Sequence, residues 1–350
     1  MKKIIIIIII LAALVLGSIY FLNHLLVAKQ ISLTAKKPVL IGFSLGTTRE
    51  ERWFQDRDLF VQKAQELGAT VIVTLSDYDV AQQTTQIENL ISQGVSVIVI
   101  IPSDSEKIAP AIAEAKQAGV KVIAYDRLIK NSDVDLYISF DNVKVGELQA
   151  QSILDVAGRG KFAYIGGAPT DNNSALLKEG AMNILDPKIK SGEVSLVVDE
   201  FMTDWKPEEA YKTIKTYLDS GKSLDAVVAA NDGTASGVIQ ALQEKGLAGK
   251  IPVSGQDAEL SATQRIIAGT QTSTVYKPIS SLAYKAAEIA VNMANGQAPE
   301  TNNSIDNGKI QVPSYFIEPT IVNKENMTQT IIKDGFHTYN EVYNSNQLQK

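Results

Sequence analysis

The stretch Gly94-Val95-Ser96-Val97-Ile98-Val99-Ile100-Ile101-Pro102-Ser103-Asp104 decides the fold. Within it Val95–Ile101, apart from Ser96, is a run of β-branched residues of strand length, with no polar alternation to mark a wet face. A strand covered on both sides belongs to a parallel sheet flanked by helices. The residues around it agree. Val80–Gln93 places Ile87, Leu90 and Ile91 together and stops at Gly94, as an amphipathic helix does, and Glu106–Ala118 reads as a second helix ending at Gly119.

The same alternation extends in both directions. Toward the N-terminus, Val39–Leu45 and Thr70–Ser76 read as strands, with Arg49–Leu67 as the helix between them. Toward the C-terminus, Lys121–Tyr125 and Leu136–Phe140 are further strands. A second series follows. Its strands are Phe162–Ile165, Val194–Val198, Ala226–Ala230, Ile251–Ser254 and Ser273–Tyr276. Its helices are Asn142–Val156, Ser174–Leu185, Pro207–Leu218, Thr234–Lys245, Glu259–Ala268 and Ser280–Asn295. The expected fold class is therefore α/β, with two doubly wound parallel-sheet lobes. Gln297–Pro313 reads as a loop, Ser314–Val322 as one more strand, and the tail from Asn323 as polar.

The chain opens with Lys2 and Lys3 and an uncharged run from Ile4 to Ala28. Ile4–Leu22 alone approaches the roughly 20 residues that a bilayer core requires. It exceeds the apolar region of a signal peptide, and no clear small-x-small cleavage site follows. The expectation is one N-terminal transmembrane helix, an uncleaved anchor within residues 1–36. The protein would then be single-pass in the cell membrane, with its remaining domain on the extracytoplasmic side. A cleaved signal is the competing reading.

Composition narrows the chemistry. With 350 residues there is length for two cores. Zero cysteines exclude disulfides, thiol nucleophiles and a lipidated cysteine anchor; with only His24 and His337, one near each end of the chain, two-histidine catalysis and most zinc chemistry are not expected. A net charge of -6 suits no nucleic-acid backbone. No G-x-S-x-G elbow, phosphate loop or dinucleotide fingerprint is present, so no enzyme activity and no cofactor are expected. No helix-turn-helix leads the chain, and the spacing around Asp77–Asp79 lacks a calcium-loop pattern, so no metal is expected.

In open parallel sheets, ligands bind beyond the carboxyl ends of the strands. The residues there include Arg52 and Trp53, then Asp126 and Arg127, Asn173, Trp205, Asn231, Asp257 and Lys277. Both tryptophans of the chain are in this set. A sugar has C–H faces that indoles cover and hydroxyls that bridge Arg or Lys donors to Asp acceptors. Taken singly, Asp171, Asn173 and Asp232 also fit helix caps, and Arg49, Glu50 and Glu51 read as a solvated helix start outside the site.

Several of these segments carry a family likeness. Glu51-Arg52-Trp53, Gln86-Ile87-Glu88-Asn89, Ala124-Tyr125-Asp126-Arg127, Tyr137-Ile138-Ser139-Phe140-Asp141-Asn142 and Asp171-Asn172-Asn173 are matching blocks. So are Asn231-Asp232, Ser254-Gly255-Gln256-Asp257-Ala258, Gly269-Thr270-Gln271-Thr272 and Val275-Tyr276-Lys277-Pro278. From about Lys37 to Phe336 the chain resembles the bacterial D-xylose-binding members of the periplasmic sugar-binding proteins, a fold shared with ribose- and galactose-binding proteins. The resemblance implies a type I periplasmic binding protein with a three-segment hinge, near Asp141, Tyr276 and the Asn302–Gln311 loop. Residues 37–141 plus 277–301 would form the N-terminal lobe, and 142–276 plus 302–350 the C-terminal lobe. It implies D-xylose held by Arg52, Arg127, Asn173, Asn231, Asp257 and Lys277, with Trp53 and Trp205 on its faces. Combined with the anchor, the expected function is a membrane-anchored D-xylose receptor that signals to a partner such as a sensor histidine kinase. The alternative is the substrate-binding subunit of an ABC-type xylose importer, with a permease as partner.

Overall fold

The computed structural model describes residues 14–24 and 39–344. Residues 14–24 form a helix, α1. The remainder of the expected anchor lies outside the described residues. Among those described, no helix is long and apolar enough to cross a membrane. The expected N-terminal transmembrane helix is therefore not found among the described residues, and residues 4–13 of the apolar run that suggested it lie outside them.

From Val39 the chain builds a sheet from β1 (Val39–Leu45), β2 (Ala69–Leu75), β3 (Val97–Ile101), β4 (Lys121–Tyr125) and β5 (Leu136–Phe140). Between them run α2 (Arg52–Glu66), α3 (Val80–Ser92) and α4 (Ala109–Gln117). These five strands are parallel, in the order β5-β4-β3-β1-β2. The β-branched strand β3 is completely buried, with apolar clusters on both of its faces. Winding reverses between β1 and β3, which opens a crevice at their carboxyl ends.

After Phe140 the chain enters a second lobe. Asp141 caps α5 (Asn142–Ala157) by accepting from Lys144 N at 2.9 Å. Then come β6 (Gly160–Gly166), α6 (Asn172–Lys190), β7 (Val194–Phe201), α7 (Pro207–Asp219), β8 (Ala226–Ala229), α8 (Asp232–Glu244), α9 (Leu260–Ala268) and β9 (Thr274–Tyr276). The strands β7-β6-β8 are parallel, with β6 between its two neighbours as β1 lies between β3 and β2. The Ile251–Ser254 segment, expected as a strand, makes only isolated bridges, Val227 to Val253 and Ala248 to Ile251. Helices α5 and α6 meet backbone to backbone at Gly146 and Gly180, where any Cβ would collide with Leu177 and Val143 carbonyls. That contact seats the N-terminus of α6, which carries Asn173.

Helix α10 (Ile279–Ala294) returns to pack on the first sheet. The next segment departs from expectation. The Asn302–Gln311 stretch is no interlobe crossover: β10 (Asn303–Asp306) and β11 (Gln311–Ile317) form an antiparallel hairpin, and β11 pairs parallel with β5. Residues 303–317 thus extend the first sheet, and pairing in the second lobe resumes only at β12 (Thr320–Val322), against β9. Of the residues read as a loop, Asn303 lies on the exposed edge strand β10 and Asn307 and Gly308 form its turn, while Pro313 sits within β11. The tail is likewise more than a polar extension. Met327, Ile331 and Val342 are buried with Ala258, Ile266 and Tyr276, and α11 (Tyr339–Tyr343) closes the described chain.

Candidate functional site

The carboxyl ends of both parallel sheets face one cavity. All nine residues singled out in the sequence line it. The first lobe supplies Arg52 and Trp53 at the start of α2, and Asp126 and Arg127 after β4. The second supplies Asn173 at the start of α6, Trp205 after β7, Asn231 after β8, and Asp257; Lys277 follows β9 where the chain turns back. All nine are buried. Local backbone explains part of this convergence. Asp126, Trp205 and Asp257 adopt φ of 61°, 60° and 89°, a left-handed conformation unfavourable for side chains with a Cβ. Asp126 follows directly on β4, whereas Trp205 and Asp257 lie in the loops beyond β7 and β8.

The cavity is lined by charges of both signs, held in ion pairs. Arg52 lies 2.9 Å from Asp126 Oδ2 and 3.3 Å from Asp257 Oδ1, so one guanidinium spans the two lobes. Lys277 Nζ meets Asp257 at 2.9 Å. Arg127 Nε meets Asp171 Oδ2 at 2.9 Å, a second bridge between lobes. A third crossing is uncharged: Asn173 Nδ2 donates to the Asp126 carbonyl at 3.1 Å, and its Oδ1 accepts from Asn142 Nδ2 at 3.1 Å. Burial pushes the Asp126 carboxyl up, but Arg52, Lys277 and Arg127 outweigh it and hold the group below its ordinary value. For Asp171 and Glu50 burial wins over the attraction of Arg127, and both are raised.

Aromatic surfaces complete the walls. The Arg52 and Arg127 guanidinium carbons sit 4.4 Å and 5.3 Å from the Trp53 ring centroid, within cation–π range. Trp205 lies against Gly167, where a Cβ would run into its ring, and its Nε1 donates to Asp171 at 3.2 Å.

Three lining residues extend the set read from the sequence. Glu50, expected to be solvated, is 7% exposed; it accepts from Trp53 Nε1 and lies 3.9 Å from Arg127. Its place three residues before Trp53, one helical turn away, was the available signal. Asp171 does cap α6, accepting from Asn173 N at 2.9 Å, yet the same carboxylate also binds Arg127 and Trp205. Gln256 lines the wall beside Asp257. Asn231 holds both roles as well, capping α8 in a reciprocal box with Thr234 while facing the cavity. Asp232, by contrast, points away into its own lobe, accepting from Gln271, Thr274 and Glu259 N. Arg49 and Glu51 are exposed, as expected.

Glu50 Oε1, Arg127 Nη1 and Gln256 Oε1 are buried without a hydrogen-bond partner in the protein. Asp126 Oδ2 is in the same position, since Arg52 is near it but misaligned for a hydrogen bond. Leaving such groups unmet costs about 1–3 kcal/mol each, and a ligand with several hydroxyls relieves it.

Comparison with known proteins accords with this geometry. Two curated relatives, each named D-xylose-binding periplasmic protein, are 49% identical: that of Haemophilus influenzae over 88% of this chain and 93% of its own, and that of Escherichia coli over 87% and 93%. A solved carbohydrate transporter solute-binding protein from Chloroflexus aurantiacus, in complex with D-glucose, superimposes with a TM-score of 0.81 at 32% identity, over 87% of this chain and 98% of that one. The expected location as a single-pass cell-membrane protein is corrected by these matches, because the relatives covering most of this chain are periplasmic by name and no described helix crosses a membrane. Residues 41–298 match the periplasmic binding protein domain, and with two lobes meeting over one cavity the chain belongs to the periplasmic binding protein family.

Proposed function

We propose that this protein binds D-xylose outside the cytoplasm as the substrate-binding subunit of an ABC-type importer, closing its lobes on the sugar and presenting it to a permease. The observation that carries the reading is the convergence of Arg52, Trp53, Asp126, Arg127, Asn173, Trp205, Asn231, Asp257 and Lys277, from both lobes, on one buried cavity. A neutral polyol suits it. Three cations face four carboxylates, Glu50, Asp126, Asp171 and Asp257, so no strongly charged ligand is required for balance. Hydroxyls both donate and accept, matching the unmet Arg127 donor and the Glu50, Asp126 and Gln256 acceptors. The two 49% identical relatives support xylose in particular.

The reading contains no catalysis. Asp126 is held ionised by three cations, whereas a glycosidic general acid must keep its proton. Signalling from a membrane-anchored form to a sensor kinase has no supporting observation and is set aside in favour of transport. D-glucose is a second reading, favoured by the bound sugar in the 32% identical structure. It differs by one hydroxymethyl group, which a cavity fitted to a pentose would exclude. Calorimetric titration with D-xylose, D-ribose, L-arabinose and D-glucose tests the choice. Xylose is expected to bind tightest; glucose binding at equal or higher affinity overturns the pentose assignment, and no binding by any of the four overturns the function.

A further inference from the structure

We infer that Asp56, which does not line the cavity, is a positioning residue that aims the Arg52 guanidinium at the sugar and at the opposite lobe. The inference rests on the sugar-site reading above. Asp56 lies one turn after Arg52 on α2 and grips one edge of the guanidinium: Arg52 Nε donates to Oδ2 at 3.0 Å and Nη2 to Oδ1 at 3.3 Å. The carboxylate is itself anchored, because the Tyr125 hydroxyl donates to Oδ1. Tyr125 is the last residue of β4, fully buried, and immediately precedes the cavity residue Asp126. Asp56 is thus pinned between two elements of the first lobe with no solvent exposure.

A guanidinium is planar, so gripping the edge formed by Nε and Nη2 sets the direction of Nη1. Nη1 is the nitrogen that reaches Asp257 in the second lobe, at 3.3 Å. The same restraint keeps the group stacked over Trp53. Without Asp56 the side chain would be drawn between Asp126 and Asp257 alone, and its orientation would change as the lobes part. Burying a third carboxylate beside one arginine is poor design for stability, since desolvation offsets most of the attraction. Its placement makes sense as preorganisation: Arg52 is held ready in the first lobe before the second lobe and the sugar arrive.

The test is a double-mutant cycle read by calorimetry with D-xylose, using the wild-type protein, D56N, R52K and D56N/R52K. Lysine keeps the positive charge among the carboxylates but lacks the fork that Asp56 grips. D56N is expected to weaken binding on the order of tenfold in the wild-type background, the worth of one charge-assisted hydrogen bond, and less than twofold in R52K. Equal losses in both backgrounds indicate a merely structural role and overturn the inference, as does unchanged affinity in D56N. Should D56N fail to fold, Y125F and Y125F/R52K complete the same cycle, since the anchor of Asp56 is lost while its charge stays. If the wild type binds no aldose, the sugar-site reading fails first, and the two failures are distinguished by that control.

Discussion

Replacing Arg127 with alanine tests the interlobe site most directly. In the closed arrangement Arg127 Nε pairs with Asp171 at 2.9 Å, both side chains being 3% exposed, and the guanidinium shields one face of Trp53. Truncating one partner of a buried, hydrogen-bonded charge pair costs about 2–5 kcal/mol or more. The lower part of that range applies here. Asp171 keeps two donors, Asn173 N and Trp205 Nε1, and Glu50 keeps Trp53. A loss of about 2–3 kcal/mol corresponds to roughly 30- to 150-fold in Kd. The penalty falls on the closed, sugar-bound form, because parting the lobes returns Asp171 to water. The melting temperature without sugar should therefore move by only a few degrees, on the order of 1 kcal/mol. Isothermal titration with D-xylose gives the affinity, and differential scanning calorimetry controls for the fold. Adding Asp171→Asn removes the stranded charge, so the double variant should bind better than the sum of single losses allows. Binding by Arg127→Ala within threefold of wild type, with the fold intact, would refute the reasoning; so would strict additivity in the double variant.

Other expectations follow from the same structure. Gly167→Ala drives a methyl into the Trp205 ring and should weaken D-xylose binding about tenfold while lowering stability by about 1–3 kcal/mol, since Trp205 also packs in a buried cluster; titration and melting measure both, and unchanged affinity argues against Trp205 as a wall of the site. D-xylose should change tryptophan emission, since both indoles of the chain line the cavity, and a flat titration across saturating sugar contradicts their placement. Stability should fall on the alkaline side. Burial, with repulsion from Asp232 and Asp257, pushes Glu259 up to about 8, and burial pushes Asp232 to about 7 despite Arg265. Both folded values exceed those of the unfolded chain, so the folded state binds more protons. The stabilisation is complete below the ordinary carboxylate range and is lost as pH rises through about 7 to 8. Melting temperatures should be lower at high than at mildly acidic pH, and Glu259→Gln should reduce that difference; an identical pH profile in the variant would sink the assignment.

Much of the fold is legible because its information is local. The β-branched run Val97–Ile101, the strands Lys121–Tyr125 and Leu136–Phe140, and the cap at Asp171 depend on periodicity and on hydrogen bonds within a few residues, whereas Asn173 and Asp232, also read as caps, fall just inside their helices. Once the alternation is read, the position of each polar residue after its strand places it at the ligand end of the sheet, which is why nine residues scattered from Arg52 to Lys277 were found together. Ser314–Ile317 was legible as strand, but β10 and the hairpin it makes were not, because the pairing of β11 with β5 joins residues more than a hundred and fifty apart and a polar edge strand has no pattern of its own. Glu50 and Asp56 were missed for a related reason. Whether a carboxylate is solvated or buried depends on what other segments cover it, here Arg127 and Trp53 over Glu50, and Tyr125 beside Asp56. The sequence by itself determined the strand–helix order and which residue types stand at the strand ends. Only the tertiary structure decided which charges pair, which cross between lobes and which are left to a ligand, because those choices are made by desolvation and distance between segments that share no local signal.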